Sequence, residues 1–100
     1  MALPVEVDPL ATEEAAEAFD WYTVRSPAAA DAFAAEIGQG FTAIGEHPER
    51  YPAFRPGTQR YLLKKFPYLI VFRQHVDRIQ VLAIAHGSRG PQYWRVRLRG

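Results

Sequence analysis

Apolar residues along this chain change their period twice, from alternation to helical spacing and back. Leu3, Val5 and Val7 first alternate with Pro4, Glu6 and Asp8, which predicts a short strand, at an edge of the sheet because of Pro4. Asp8-Pro9 then reads as a helix start, with Asp as N-cap and Pro in the first turn. Ala11, Ala15, Ala18, Phe19 and Tyr22 follow at helical spacing, with Trp21 at the margin of the stripe. Glu13, Glu14, Glu17 and Asp20 fall largely elsewhere, and the early acids suit the positive end of a helix. Ser26-Pro27 repeats the start signal, so one helix ends near Arg25 and a second begins. The second carries Ala30, Phe33, Ile37, Phe41 and Ile44 at intervals of three and four. So tight a junction predicts an antiparallel helical hairpin. Gly38, Gly40 and Gly45 weaken the second helix by about 1 kcal/mol each where they are exposed.

Past a proline-rich loop, His47 to Thr58, the period becomes two. Three strands are expected: Gln59 to Lys65, Tyr68 to Gln74 and Arg78 to His86, the last two joined as a hairpin through His75-Val76-Asp77. Gly87 to Gly90 reads as a turn, and Pro91 to Arg99 as a short helix or an extended tail. The fold class is α+β, one domain over residues 1–100, in the order β-α-α-β-β-β. Alternation assigns Tyr68, Ile70 and Phe72 with Ile79, Val81 and Ala83 to the side under the helices. The other side then carries Arg60, Leu62, Lys64, Leu69, Val71, Arg73, Leu82, Ile84 and His86. Either a partner covers that mixed aliphatic and basic face, or the C-terminal segment with Tyr93 and Trp94 folds back over it.

Charge sharpens the contrast between the halves. Up to Arg50 there are ten acids against Arg25 and Arg50; from Tyr51 on, Asp77 alone faces ten Lys and Arg. A formal net charge of +1 thus hides a dipolar molecule, whose basic half suits an anionic partner such as nucleic acid or an acidic protein. Cysteine is absent, so disulfides and thiolate chemistry are excluded. No apolar run is long enough to cross a membrane, and the N-terminus lacks signal-peptide character, so a cytoplasmic setting is expected.

Candidate chemistry concentrates near the C-terminus. His86, Arg89 and Tyr93 are the residues that metal-independent RNA cleavage would draw on for acid–base work and phosphate charge. A His at a strand end more often bonds its own turn. Arg73, Arg89, Tyr93, Trp94, Arg95 and Arg97 form the candidate target-binding group, the aromatic members being able either to stack on bases or to pack on the sheet. Leu62, Lys64, Leu69, Val71, Leu82 and Ile84 form the candidate surface for a second protein. His47, His75 and His86 are scattered, so neither a metal nor another cofactor is expected.

Three stretches carry a family resemblance: Ile44-Gly-Glu-His-Pro-Glu-Arg-Tyr-Pro52, Phe66-Pro-Tyr-Leu-Ile-Val-Phe-Arg73 and Val81-Leu-Ala-Ile-Ala-His-Gly-Ser-Arg89. In that order, behind a helical hairpin, they resemble the RelE/ParE superfamily of toxins from bacterial toxin–antitoxin modules. The resemblance implies a compact toxin held inactive by an antitoxin that wraps it. It also implies one of two activities: cleavage of messenger RNA in the ribosome, or inhibition of DNA gyrase without catalysis. The ribosome-dependent nucleases generally carry an Arg in the middle strand just after its aromatic residue, where this chain has Leu69 after Tyr68. Arg89 matches the basic residue after the last strand, and Tyr93 approximately matches the C-terminal tyrosine of the RelE branch. The missing arginine points to the ParE branch, a gyrase inhibitor neutralised by a ParD-like antitoxin, with the ribosome-dependent endoribonuclease as the alternative.

Overall fold

Both proline-marked starts act as the sequence predicts. In the computed structural model, which describes residues 2–55, 57–88, 94, 97 and 98, helix α1 runs Pro9–Arg25, and the Asp8 carboxylate accepts the Leu10 N–H at 2.8 Å. Helix α2 runs Pro27–Glu46. Ser26 closes one helix and opens the other: its N–H donates to Tyr22 C=O, and its Oγ accepts the Ala29 N–H. A single residue therefore makes the turn, and α2 runs back along α1. Its far end is tied beside the start of the chain by Leu3 N–H on Gly45 C=O at 2.9 Å.

The sheet has four strands: β1 Val5–Val7, β2 Gln59–Leu62, β3 Tyr68–Gln74 and β4 Ile79–His86, in spatial order β1-β4-β3-β2. The expected edge position of β1 holds, and β1 pairs in parallel with β4 from Val5↔Ile79 to Val7↔Val81. The other pairings are antiparallel. The first and third predicted strands are slightly shorter than expected. In the loop before β2, Pro48–Arg50 form a short 3-10 turn. Between β2 and β3, the Glu36 carboxylate of α2 accepts the N–H groups of Lys64 and Lys65, fixing that turn onto the hairpin.

Phe33, Ile37, Ile44, Ile70, Phe72, Ile79 and Val81 are buried between helices and sheet, and Phe41 and Tyr68 are half-buried against them. Phe33 is ringed edge-on or tilted by Tyr22, Phe66 and Tyr68 at centroid distances of 5.3–5.5 Å. Gly40 is where α2 comes closest to the sheet: a Cβ there would lie 2.7 Å from Ile70 Cδ1 and 3.0 Å from Tyr61. Its low helix propensity is the cost of that approach.

One face assignment is overturned. Val71 pairs with Ala83, but Phe72 pairs with Val81, so Leu82 is an extra residue bulged out of β4. Past the bulge the alternation flips. Ile84 joins the core under the helices, while Ala83 and Ala85 join Leu82 on the other side. The expectations that Ala83 faces the helices, and that Ile84 and His86 face away, are corrected accordingly.

The second side of the sheet is not open. Val71, Leu82, Ala83 and Ala85 are buried with Trp94, flanked by Phe54, Leu69 and Leu98. Trp94 and Leu98 of the C-terminal segment supply part of this cover.

Candidate functional site

The sheet's second side is organised by one carboxylate. β1 accompanies β4 only as far as Val81, so the backbone of β4 beyond that point lacks a strand neighbour on that side. Glu14, three residues beyond the buried Ala11 on α1, reaches into the gap. Its Oε1 accepts the Ile84 N–H at 3.0 Å and the Arg97 Nη1–H at 2.9 Å, and its Oε2 accepts from Arg97 Nη2 at 3.4 Å. Arg97 Nη1 also donates to the Leu82 carbonyl at 2.8 Å, at the bulge. Both side chains are largely withdrawn from water, 14% exposed for Glu14 and 9% for Arg97. Such a pair is held by its hydrogen bonds as much as by its charges. It joins the acidic helix to the basic C-terminal segment across 83 residues of chain.

A second arginine fixes the same segment: Arg73 on β3 donates to Leu98 C=O at 3.0 Å. Trp94, 1% exposed, stacks on Phe54 at 6.2 Å between centroids. The guanidinium groups of Arg55 and Arg60 lie 5.2 and 5.6 Å from the centre of that Phe54 ring. Arg73, Trp94 and Arg97, three of the candidate target-binding residues, serve as internal anchors of the segment. Arg89, Tyr93 and Arg95 lie outside the described residues.

His86 stands on the opposite side of the sheet, its ring edge-on to Tyr68 at 5.1 Å. Its Nδ1 accepts the Ser88 N–H at 3.1 Å and lies 2.7 Å from Ser88 Oγ, so it serves its own turn. Burial pushes the Tyr68 hydroxyl above its ordinary pKa, with Tyr22 nearby adding to the shift. Burial raises Tyr22 as well. These neutral phenols, with His86, Glu14, Glu17 and Trp21, border a cleft of about 430 Å³ between α1 and the sheet.

The surface expected to meet a second protein is divided by the fold. Leu62 and Lys64 are exposed at the far end of β2, past the part of its edge that pairs with Ala53, and Leu69 is half-buried. Val71 and Leu82 lie under the C-terminal segment and Ile84 lies under the helices, each at most 2% exposed, so these three are corrected to core positions. The residue that sequence reasoning missed is Glu14. It reads as one more acid on a solvated helix, yet its spacing from Ala11 and Ala18 sets it beside the buried stripe, which was the available signal.

Among the described residues no group of three or more His, Asp or Glu converges as a metal site, and no helix is long and apolar enough to cross a membrane. Comparison with known proteins gives a consistent picture. The model of a family described as "ParE toxin of type II toxin-antitoxin system, parDE" matches residues 5–91. A solved structure described as the chromosomal ParDE TA system from P. aeruginosa shares the fold, with a TM-score of 0.74 at 20% identity over 85% of this chain and 96% of that one. No curated protein matches.

Proposed function

The chain belongs to the ParE toxin family of type II toxin–antitoxin systems, and on that premise we propose that it inhibits DNA gyrase by binding it, without making or breaking bonds, and that a ParD-like antitoxin neutralises it. One observation carries the non-catalytic reading. Cleavage of RNA through its own 2′-hydroxyl requires a base, an acid and a phosphate-binding cation to converge within hydrogen-bond reach. Among the described residues, His86 bonds its own turn at Ser88, Arg73 on the other side of the sheet bonds Leu98, and Arg97 bonds Leu82 and Glu14. Leu69 supports the same reading, since the middle strand offers no arginine there.

The target-contacting element in this proposal is the C-terminal region, including Arg89, Tyr93 and Arg95. Trp94, Arg73 and Arg97 are the anchors that present it. The exposed end of β2 at Leu62 and Lys64 is the proposed antitoxin contact.

The test is purified protein added separately to a gyrase supercoiling assay and to ribosomes carrying messenger RNA. Loss of supercoiling with intact message is expected, and His86→Ala should leave that inhibition within about twofold of the parent, since no proton transfer depends on it. Codon-positioned cleavage with unaffected supercoiling would instead establish the ribosome-dependent endoribonuclease. Leu62→Asp should reduce co-purification with the antitoxin encoded beside the toxin. Leu82 is unsuited as a surface probe, because an acid there would be buried.

A further inference from the structure

Five large apolar side chains stand exposed among the described residues, and three of them are on α1: Leu10 at 46%, Trp21 at 52% and Val24 at 84%. They are not scattered. Leu10, Glu14, Glu17, Trp21 and Val24 succeed one another at intervals of four, three, four and three, the spacing of a helix seam that faces another helix. The seam extends about 21 Å along α1 at the helical rise per residue. Nothing described in the chain covers Leu10 or Val24, and the buried stripe of Ala11 and Ala18 already serves the protein's own core.

The middle of the seam is acidic. Glu14 is engaged by Arg97, but Glu17 is exposed, and Glu13 and Asp20 flank it in solvent. Beside Glu17 lies the cleft bordered by Trp21, Tyr68 and His86. The Trp21 ring already receives one cation, the Arg25 guanidinium 3.6 Å from its centre, which shows the ring to be placed for such contacts. An exposed acid at the centre of a seam with apolar ends favours a partner that brings a cation to it and disfavours one that brings an acid.

We propose that this face of α1 is a docking surface for a basic amphipathic helix of a protein partner, apolar opposite Leu10, Trp21 and Val24 and presenting a Lys or Arg to Glu17 at the mouth of the cleft. The surface touches the C-terminal segment through Glu14, which Arg97 holds, and is distinct from the β2 edge; the proposal does not depend on gyrase being the target.

Two synthetic helical peptides as long as α1 test it, each with Leu at the matching seam positions. One carries Arg at the central position and the other Glu. Calorimetric titration into the full chain should show the Arg peptide binding roughly tenfold more tightly, with the advantage shrinking as salt is raised. Glu17→Lys should invert the preference, and Trp21→Ala should weaken the Arg peptide by about fivefold or more. Both positions are exposed, and unchanged melting curves will verify that the variants fold. Equal binding of the two peptides, an uninverted preference in Glu17→Lys, or no effect of Trp21→Ala would each overturn the proposal. So would sedimentation showing the free chain to be a dimer that Trp21→Ala splits, which would reassign the seam to a second copy.

Discussion

The two faces of the sheet are covered in different ways. One lies under two helices, each with a side-chain cap at its start, and its core is built from aromatic rings in mutual contact around Phe33. The other lies under Trp94, Phe54 and Leu98, held by Arg73 and by the Glu14–Arg97 pair. The first cover is made of continuous, cooperative elements. The second depends on a few contacts that can open together without unfolding the helices, and local opening of that kind has a free energy of its own, below that of the whole molecule. Arg73 and Arg97, proposed to anchor the target-contacting region, hold the weaker cover.

Breaking the helix side should have the largest effect. Phe33→Ala should cost about 3–5 kcal/mol, because it opens a cavity among rings that cannot collapse into it. Urea unfolding followed by far-UV circular dichroism checks this; a loss well under 1 kcal/mol would contradict the packing. Trp94→Ala should cost less, about 1.5–3 kcal/mol, since the C-terminal segment can come away and leave the helix side intact. Limited proteolysis should then cut that segment well before the helices, whereas simultaneous loss of both would show the two faces to be a single cooperative unit.

Glu14→Ala probes the link between the faces. It strands the Ile84 N–H and takes the carboxylate from the Arg97 guanidinium, a loss of about 1–3 kcal/mol. Faster amide exchange at Ile84 and increased cleavage of the segment should accompany it. Smallest in size, but opposite in sign, are two glycines on one helix. Gly38 has open space around its missing side chain, so Gly38→Ala should stabilise by about 0.5–1 kcal/mol through helix propensity alone. Gly40→Ala should yield no such gain, because its Cβ would meet Ile70 and Tyr61. Equal gains at both positions would mean that α2 does not press on the sheet at Gly40.

Legibility of the sequence followed the range of the interactions. The helix starts were readable because Asp8-Pro9 and Ser26-Pro27 carry their signal within two residues, and the helix stripes because their period repeats. The faces of β4 were readable only up to Val81. Beyond it, Leu82-Ala83-Ile84-Ala85 is apolar throughout, so nothing in the residue pattern marks the point where the bulge reverses the alternation. The role of Glu14 was hidden for a different reason: its partners are 70 and 83 residues away, and a charge on a helix normally needs no partner at all. His86 was the reverse case, since the turn that engages it lies two residues on, within local reach.

The pairing of β1 with β4 also sets the order in which the protein can be completed during synthesis. Val5–Val7 emerge first and must wait for Ile79–Val81. The capped helical hairpin can form early from local contacts, but the apolar stripes it carries have no sheet to rest on until the last strand leaves the ribosome. Arg97, which closes the far side, follows later still. A nascent or prematurely terminated chain therefore consists of helices exposing their inner faces, and the arrangement proposed to meet the target exists only in the finished polypeptide. Chains released after Gln74 should accordingly bind a hydrophobic dye and show no cooperative unfolding transition.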